Sequence, residues 1–398
     1  MVDENKQSKP FDDDCFERKD FAENLLELIK NQSESKYESR VIAIKAGFGL
    51  GKTFFAKELM KLIDEDLKES KQKSNDSLKV YRHYVDIWKE DYTNEPLLAL
   101  LYALENMSDR YQSWLKKTTI KKDAKKLLGI ISACFETNSK FGKFITKAKE
   151  NLKEIKIQNK FYQIETYKKM RDNITKAFQR NKNEKFVIIV DEIDRCMPEY
   201  AIRFLETLKH FFDVEGLYFI LMFNENHLRE SLKKRFDFID FNEWKDKFID
   251  IEFDLSVFYN PKNFIKYLID KYGLNNKIDN IKMYITYKGN SATFDSSDLF
   301  KDKDWGAYIY HFLNSLEDVN LNCRQLNMLC KRLNLALQIV GNGFIMPDCL
   351  MCIIVKGMIK KKTIKRKSSY KNYPFSYVDK ATKKSEHILK LFVDNGDI

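Results

Sequence analysis

The stretch VIAIKAGFGLGKTFF, residues 41 to 55, constrains this chain more than any other. An apolar run of strand length ends in a loop carrying Gly47, Gly49 and Gly51, and a helical pattern starts directly after Lys52 and Thr53. A chain with only 13 glycines in 398 residues places three of them here, so the backbone at this point has to do without Cβ atoms. A strand that feeds such a loop into a helix N-terminus gathers N–H groups and partial positive charge, which makes a site for polyphosphate. Gly47, Phe48, Gly49, Leu50, Gly51 and Phe54 surround that site, Lys52 reaches the β- and γ-phosphates, and Thr53 offers a hydroxyl to Mg2+. The strict form of the motif starts on glycine where this chain has Ala46, a residue small enough for the same turn.

A second element supplies what the loop lacks. The run KFVIIV, residues 185 to 190, ends in Asp191 and Glu192. Asp191 brings a carboxylate to the metal beside Thr53, and Glu192 follows where it can polarise a water for in-line attack on the γ-phosphate. Carboxylates at the end of a buried strand are costly to desolvate without a purpose. Asn224 closes the next strand, LYFILMF, and either orients the attacking water and senses the γ-phosphate or serves as an ordinary turn residue.

Apolar strands alternating with helical segments predict a parallel sheet covered on both faces, an α/β architecture. The strands expected are Val41 to Ala46, KVYRHYVDI, KFVIIV, LYFILMF and FIDIEFDL. Residues 11 to 31 read as an acidic cap and a helix with Phe21, Leu25, Leu28 and Ile29 on one face. Residues 1–258 form the expected nucleotide-binding core, with a charged helical insertion at 108–182. Residues 259–398 read as a mostly helical lid or effector region that ends in a basic tail.

Composition limits the setting. The acidic, polar N-terminus does not resemble a signal peptide, and the seven cysteines form no secreted framework, so a reducing cytoplasm is expected. No run approaches the roughly 18 to 20 apolar residues of a membrane span, and no transmembrane segment is expected. The formal charge of +11 favours an anionic partner without specifying it.

Beyond the acidic strand, VDEIDRCMPE resembles the KAP-type P-loop NTPases, a branch of the additional-strand, catalytic-glutamate class. The resemblance rests on Asp194, Arg195, Cys196 and Pro198, followed by the helical FLETLKHFF. CFERKDFAENLLELI is similar to the family's GR-x-x-x-A helix, the segment around Trp88 to its FNAW block, and EWKDKFIDIEFDL, with Lys247, to its LEKI strand. NCRQLNMLCKRLNLAL resembles the PR-x-x-KR-x-x-N helix through Arg324, Lys331, Arg332 and Asn334, with Asn-Cys-Arg in place of Asn-Pro-Arg. Where many relatives insert transmembrane helices, this chain carries a charged segment. The resemblance implies a P-loop NTPase sheet, ATP rather than GTP, Mg2+, hydrolysis used as a conformational switch, Arg324 as a second γ-phosphate sensor, and self-association or a partner effector protein. For bacterial members it implies a link to phage exclusion. The alternatives are a scaffold that holds ATP almost without turnover and an ATPase stimulated by nucleic acid.

Other motifs allow two readings. Arg195, Arg229 and Arg235 are either arginine fingers for a neighbouring subunit's ATP or ordinary ion-paired arginines. Cys349 and Cys352 form a C-x-x-C that Cys323 and Cys330 would complete as zinc ligands, but their leucine-rich surroundings read as core, and no zinc is expected. The five histidines show no metal spacing. The basic run from Lys360 to Lys371, with Tyr370, Tyr373 and Phe375, suits nucleic acid, an anionic membrane or plain solvent.

Overall fold

In the computed structural model, which describes residues 9–31, 40–73, 77–105, 183–236, 240–275, 282–287, 290–294, 305–314 and 319–340 with isolated positions elsewhere, the apolar runs pair into one parallel sheet. Its strands are β1 (Val41–Lys45), β2 (Lys79–Asp86), β3 (Glu184–Asp191), β4 (Leu217–Phe223) and β5 (Ile251–Asp254), in the order β2-β3-β4-β1-β5. The two strands flanked by β2 and β1, β3 and β4, are almost wholly buried, which is why their sequences do not alternate. The edge strands β2 and β5 keep partly exposed positions.

Strand periodicity sorts side chains between the two faces. Phe186, Ile188 and Val190 of β3 pack with Phe219 and Leu221 of β4 in a core closed by α3 (Pro96–Glu105), α4 (Pro198–Phe211), α5 (Glu225–Arg235) and α6 (Phe241–Lys245). On the other face α2 (Lys52–Lys73) packs against β2, β3 and β4 through Phe55, Leu59 and Ile63, with α1 (Lys19–Asn31) beside it. In α1 the buried side chains are Ala22, Leu25, Leu26 and Ile29, so Phe21 and Leu28 flank the buried stripe instead of centring it. Lys185, buried at the start of β3, donates to the carbonyls of Ile29 and Lys30 at 2.6 and 2.7 Å. A cation placed there satisfies the C-terminal end of α1 and complements its dipole.

The chain separates into two compact units, residues 1–257 and 258–398. The second contains α7 (Pro261–Tyr272), α8 (Trp305–Asn314) and α9 (Cys323–Val340), whose Ile265, Leu268, Ile309, Leu329 and Leu333 share a core. Asn260 caps α7 by accepting from the N–H groups of Lys262 and Asn263, and Pro261 opens the first turn. This unit also has a small sheet that the helical reading did not include. In it β6 (Lys282–Tyr287) pairs antiparallel with β7 (Asn290–Phe294) and parallel with β8 (Phe344–Ile345). The expected insertion at 108–182 lies almost wholly outside the described residues, and the basic run from Lys360, Cys349 and Cys352 lie outside them too. Among the described residues no helix is long and apolar enough to cross a membrane.

Candidate functional site

Because all five strands are parallel, their carboxyl ends share one edge, where ligands of such sheets bind. The glycine loop leaves β1, Asp191 and Glu192 leave β3, and Asn224 leaves β4, which lies between those two strands. Side-chain parity aims the acids. Asp191 shares the face of Val187 and Ile189, the face covered by α2, and the first turn of α2 holds Thr53.

The two meet. Thr53 Oγ1 donates to Asp191 Oδ2 at 2.7 Å across 138 residues of sequence. Tyr84, paired in register with Ile189, donates its hydroxyl to the same oxygen at 3.1 Å. Burial first, and Asp191 second, push the Tyr84 hydroxyl far above its usual range, so it remains a donor. Asp191 Oδ1 accepts from the Glu192 N–H at 2.9 Å. A hydroxyl and a carboxylate converging at a helix N-terminus are hard oxygen donors, and they fit Mg2+. Among the described residues no group of three or more His, Cys, Asp or Glu side chains gathers to hold a metal by itself. Sequence reading did not single out Tyr84; its period-2 spacing to Asp86 was visible, but its register against β3 was not.

In the loop, Gly49 and Gly51 take φ values of 73° and 82°. Lys52 is only 8% exposed, and its Nζ donates to the carbonyls of Ala46 and Gly47 at 3.0 and 3.3 Å. Burial lowers its pKa, opposed by Asp194, Asp191 and Glu192. Arg18 lies behind the loop, paired with Asp14 at 2.6 Å, and its guanidinium stacks on Phe16, Phe54 and Phe55. A Cβ on Gly51 would stand 3.1 Å from Arg18 Nη1. Gly51→Ala is therefore expected to cost about 1–2 kcal/mol from the positive φ alone, read as a lower denaturation midpoint, and to weaken nucleotide binding by moving the loop. Arg18 occupies the arginine position of the GR-x-x-x-A pattern, and Glu17 replaces the glycine at φ 55°.

Glu192 has φ 66° and starts a 3-10 turn, Ile193–Arg195. Arg195 turns back on it, with Nε 2.5 Å from Oε2. Burial, then Asp191, raise the Glu192 pKa against the opposing pull of Arg195. Asn224 caps α5, its Oδ1 accepting from the His227 N–H at 3.3 Å, and its own N–H donates to Asp194 Oδ1 at 3.0 Å. His227 Nδ1 lies 3.3 Å from Asp194 Oδ2, and its ring meets Phe48 edge-on at 5.1 Å between centroids. Asp194 and His227 thus connect the end of β4 to the loop, a link the sequence alone did not reveal.

Arg229 and Arg235 are ion-paired within the first unit. Arg229 pairs with Glu225 at 3.1 Å and covers Phe241, and Arg235 pairs with Glu199. Arg324 lies exposed near the start of α9 in the second unit. At the end of β1, Lys45 and the buried Lys245 share Glu225 and Glu252. Lys245, not the exposed Lys247, is the lysine of that segment that enters the first unit's interior.

A family model described as the KAP family P-loop domain matches residues 18–339. No curated protein matches the sequence. Among solved structures the chain is similar to the Aeropyrum pernix ORC2 protein in its ADP form, with 15% identity, 85% of this chain and 68% of that one covered, and a TM-score of 0.36. It is also similar to Drosophila ORC bound to DNA, with 14% identity, coverage of 81% and 62%, and a TM-score of 0.40. For C. elegans PCH-2 the figures are 11%, 86% and 69%, and 0.33.

Proposed function

The chain belongs to the KAP family of P-loop NTPases, and from that premise we propose that it binds ATP with Mg2+ and hydrolyses it to drive a conformational switch. The observation that carries the reading is the contact of Thr53 with Asp191 at 2.7 Å, which joins the glycine loop to the acidic strand end. Thr53 and Asp191 would hold the metal, which when bound neutralises charge on the transferred phosphoryl group. Lys52 exchanges the carbonyls of Ala46 and Gly47 for phosphate oxygens, a charge-assisted and stronger pairing. Glu192 accepts the proton of the attacking water, and Asn224 fixes the end of β4 beside it.

The output is a change in how the C-terminal region, residues 259–398, engages a second copy or an effector, with Arg324 reporting the γ-phosphate. Nucleic acid on the basic tail is the partner that the charge of that segment favours. Phage exclusion is supported by the family resemblance alone.

The test is phosphate release by the purified chain with ATP. Turnover is expected with Mg2+ and should fall by about 100-fold or more when EDTA removes it. Tight ATP binding with no metal-dependent turnover would replace the switch by the nucleotide-holding scaffold. Absence of ATP binding would overturn both readings.

A further inference from the structure

The most informative contact that the proposed reaction does not use is the pairing of Arg195 with Glu192. Both belong to one 3-10 turn, closed by the Arg195 N–H donating to the Glu192 carbonyl at 3.0 Å, so the ion pair forms locally. On its far side the Arg195 guanidinium rests on the Trp88 ring, with Cζ 5.5 Å from the centroid. Trp88 follows β2 in a short turn, Ile87–Lys89, directly after Asp86, the register partner of Asp191. Two further ties join the same segments, since the Met197 N–H donates to Asp91 at 3.3 Å and Arg203 bonds Asn94. Trp88 is 48% exposed, and Tyr92 and Met197 are each 64% exposed, so this arrangement can be reached from solvent.

A carboxylate oxygen 2.5 Å from a guanidinium is engaged by that partner and turned toward it instead of a water. From this geometry we infer that Arg195, seated on Trp88, is a latch that holds Glu192 in a resting pose and keeps the basal rate low. Displacing residues 87–94 would draw Trp88 away and release the carboxylate. Trp88 acts through Arg195, as a positioning residue. The inference rests on Glu192 being the general base.

The test compares Trp88→Ala, Trp88→Phe and Arg195→Met with the unmodified chain at saturating ATP and Mg2+. Trp88→Ala and Arg195→Met should each raise kcat by about threefold to tenfold, the span open to one ion pair and one cation–π contact. ATP affinity should stay unchanged, and Trp88→Phe should stay near the starting rate. Trp88→Phe supplies a readout that looser packing would not move, since an aromatic face under Arg195 should restore the resting rate that Trp88→Ala loses.

A fall in kcat in both variants would show Arg195 acting toward the phosphate, and no change would show an idle ion pair; either result overturns the latch. If Trp88→Ala fails to fold, Arg195→Met alone decides. Glu192→Gln separates the two readings. If that variant turns over normally, the base assignment fails; if it is inert and Arg195→Met is no faster than the unmodified chain, only the latch fails.

Discussion

Replacing Lys52 by alanine is expected to weaken ATP binding by about 100-fold or more, the equivalent of roughly 3 kcal/mol for one or two charge-assisted hydrogen bonds. The ammonium is buried beside the loop and satisfied by two of the loop's own carbonyls. Burial lowers its pKa and the nearby carboxylates oppose that shift, so incoming phosphate adds charge compensation the site otherwise lacks. Affinity should therefore depend on phosphate number, with ATP losing more than AMP in the variant. Titration of a fluorescent ATP analogue measures it. Lys52→Met, which keeps most of the aliphatic stem, separates lost charge from lost packing. An affinity within about threefold of the starting value for both variants would remove the loop from nucleotide binding.

How far the site could be read in advance depended on whether a residue's role is local. The loop, Lys52, Thr53 and the end of β3 are legible because each follows from a short pattern: apolar run, then glycines or acids, then helix. The parallel sheet follows from the same runs, since β3 and β4 contain too little polarity to face water on either side. Contacts set by register were not legible. That Tyr84 reaches Asp191 requires Tyr84 to pair with Ile189, and no feature of KVYRHYVD states this. The Glu192–Arg195 pair depends on a positive φ at a glutamate, a conformation that sequence favours only for glycine or asparagine. Lys245 and Lys247 look alike in EWKDKFID, but Lys245 ends the short α6 with its side chain buried, whereas Lys247 lies exposed in the turn that follows. The β6–β7 hairpin was hidden for another reason. Its first strand, KMYITY, carries strand formers, but polar residues in the second masked the period-2 pattern.

Glu192→Gln should separate binding from chemistry more cleanly than any other change to this chain. The amide keeps the shape of the carboxyl and leaves the Asp191 contact to the residue 192 N–H intact, so ATP affinity should change little. It has no lone pair basic enough to take a proton, and kcat is expected to fall by about 100-fold to 10,000-fold, the usual contribution of a positioned general base. The pH dependence has a definite sign. Burial and Asp191 raise the Glu192 pKa, so the carboxyl is protonated and inactive up to a higher pH than an exposed glutamate would be. Hydrolysis should decline as pH falls through that raised value, with a midpoint above the ordinary glutamate 4.5. The residual rate of Glu192→Gln should lack this limb. Single-turnover phosphate release across pH, beside ATP binding at each pH, measures both effects. A variant that kept the limb would show that the titrating base is a carboxylate other than Glu192.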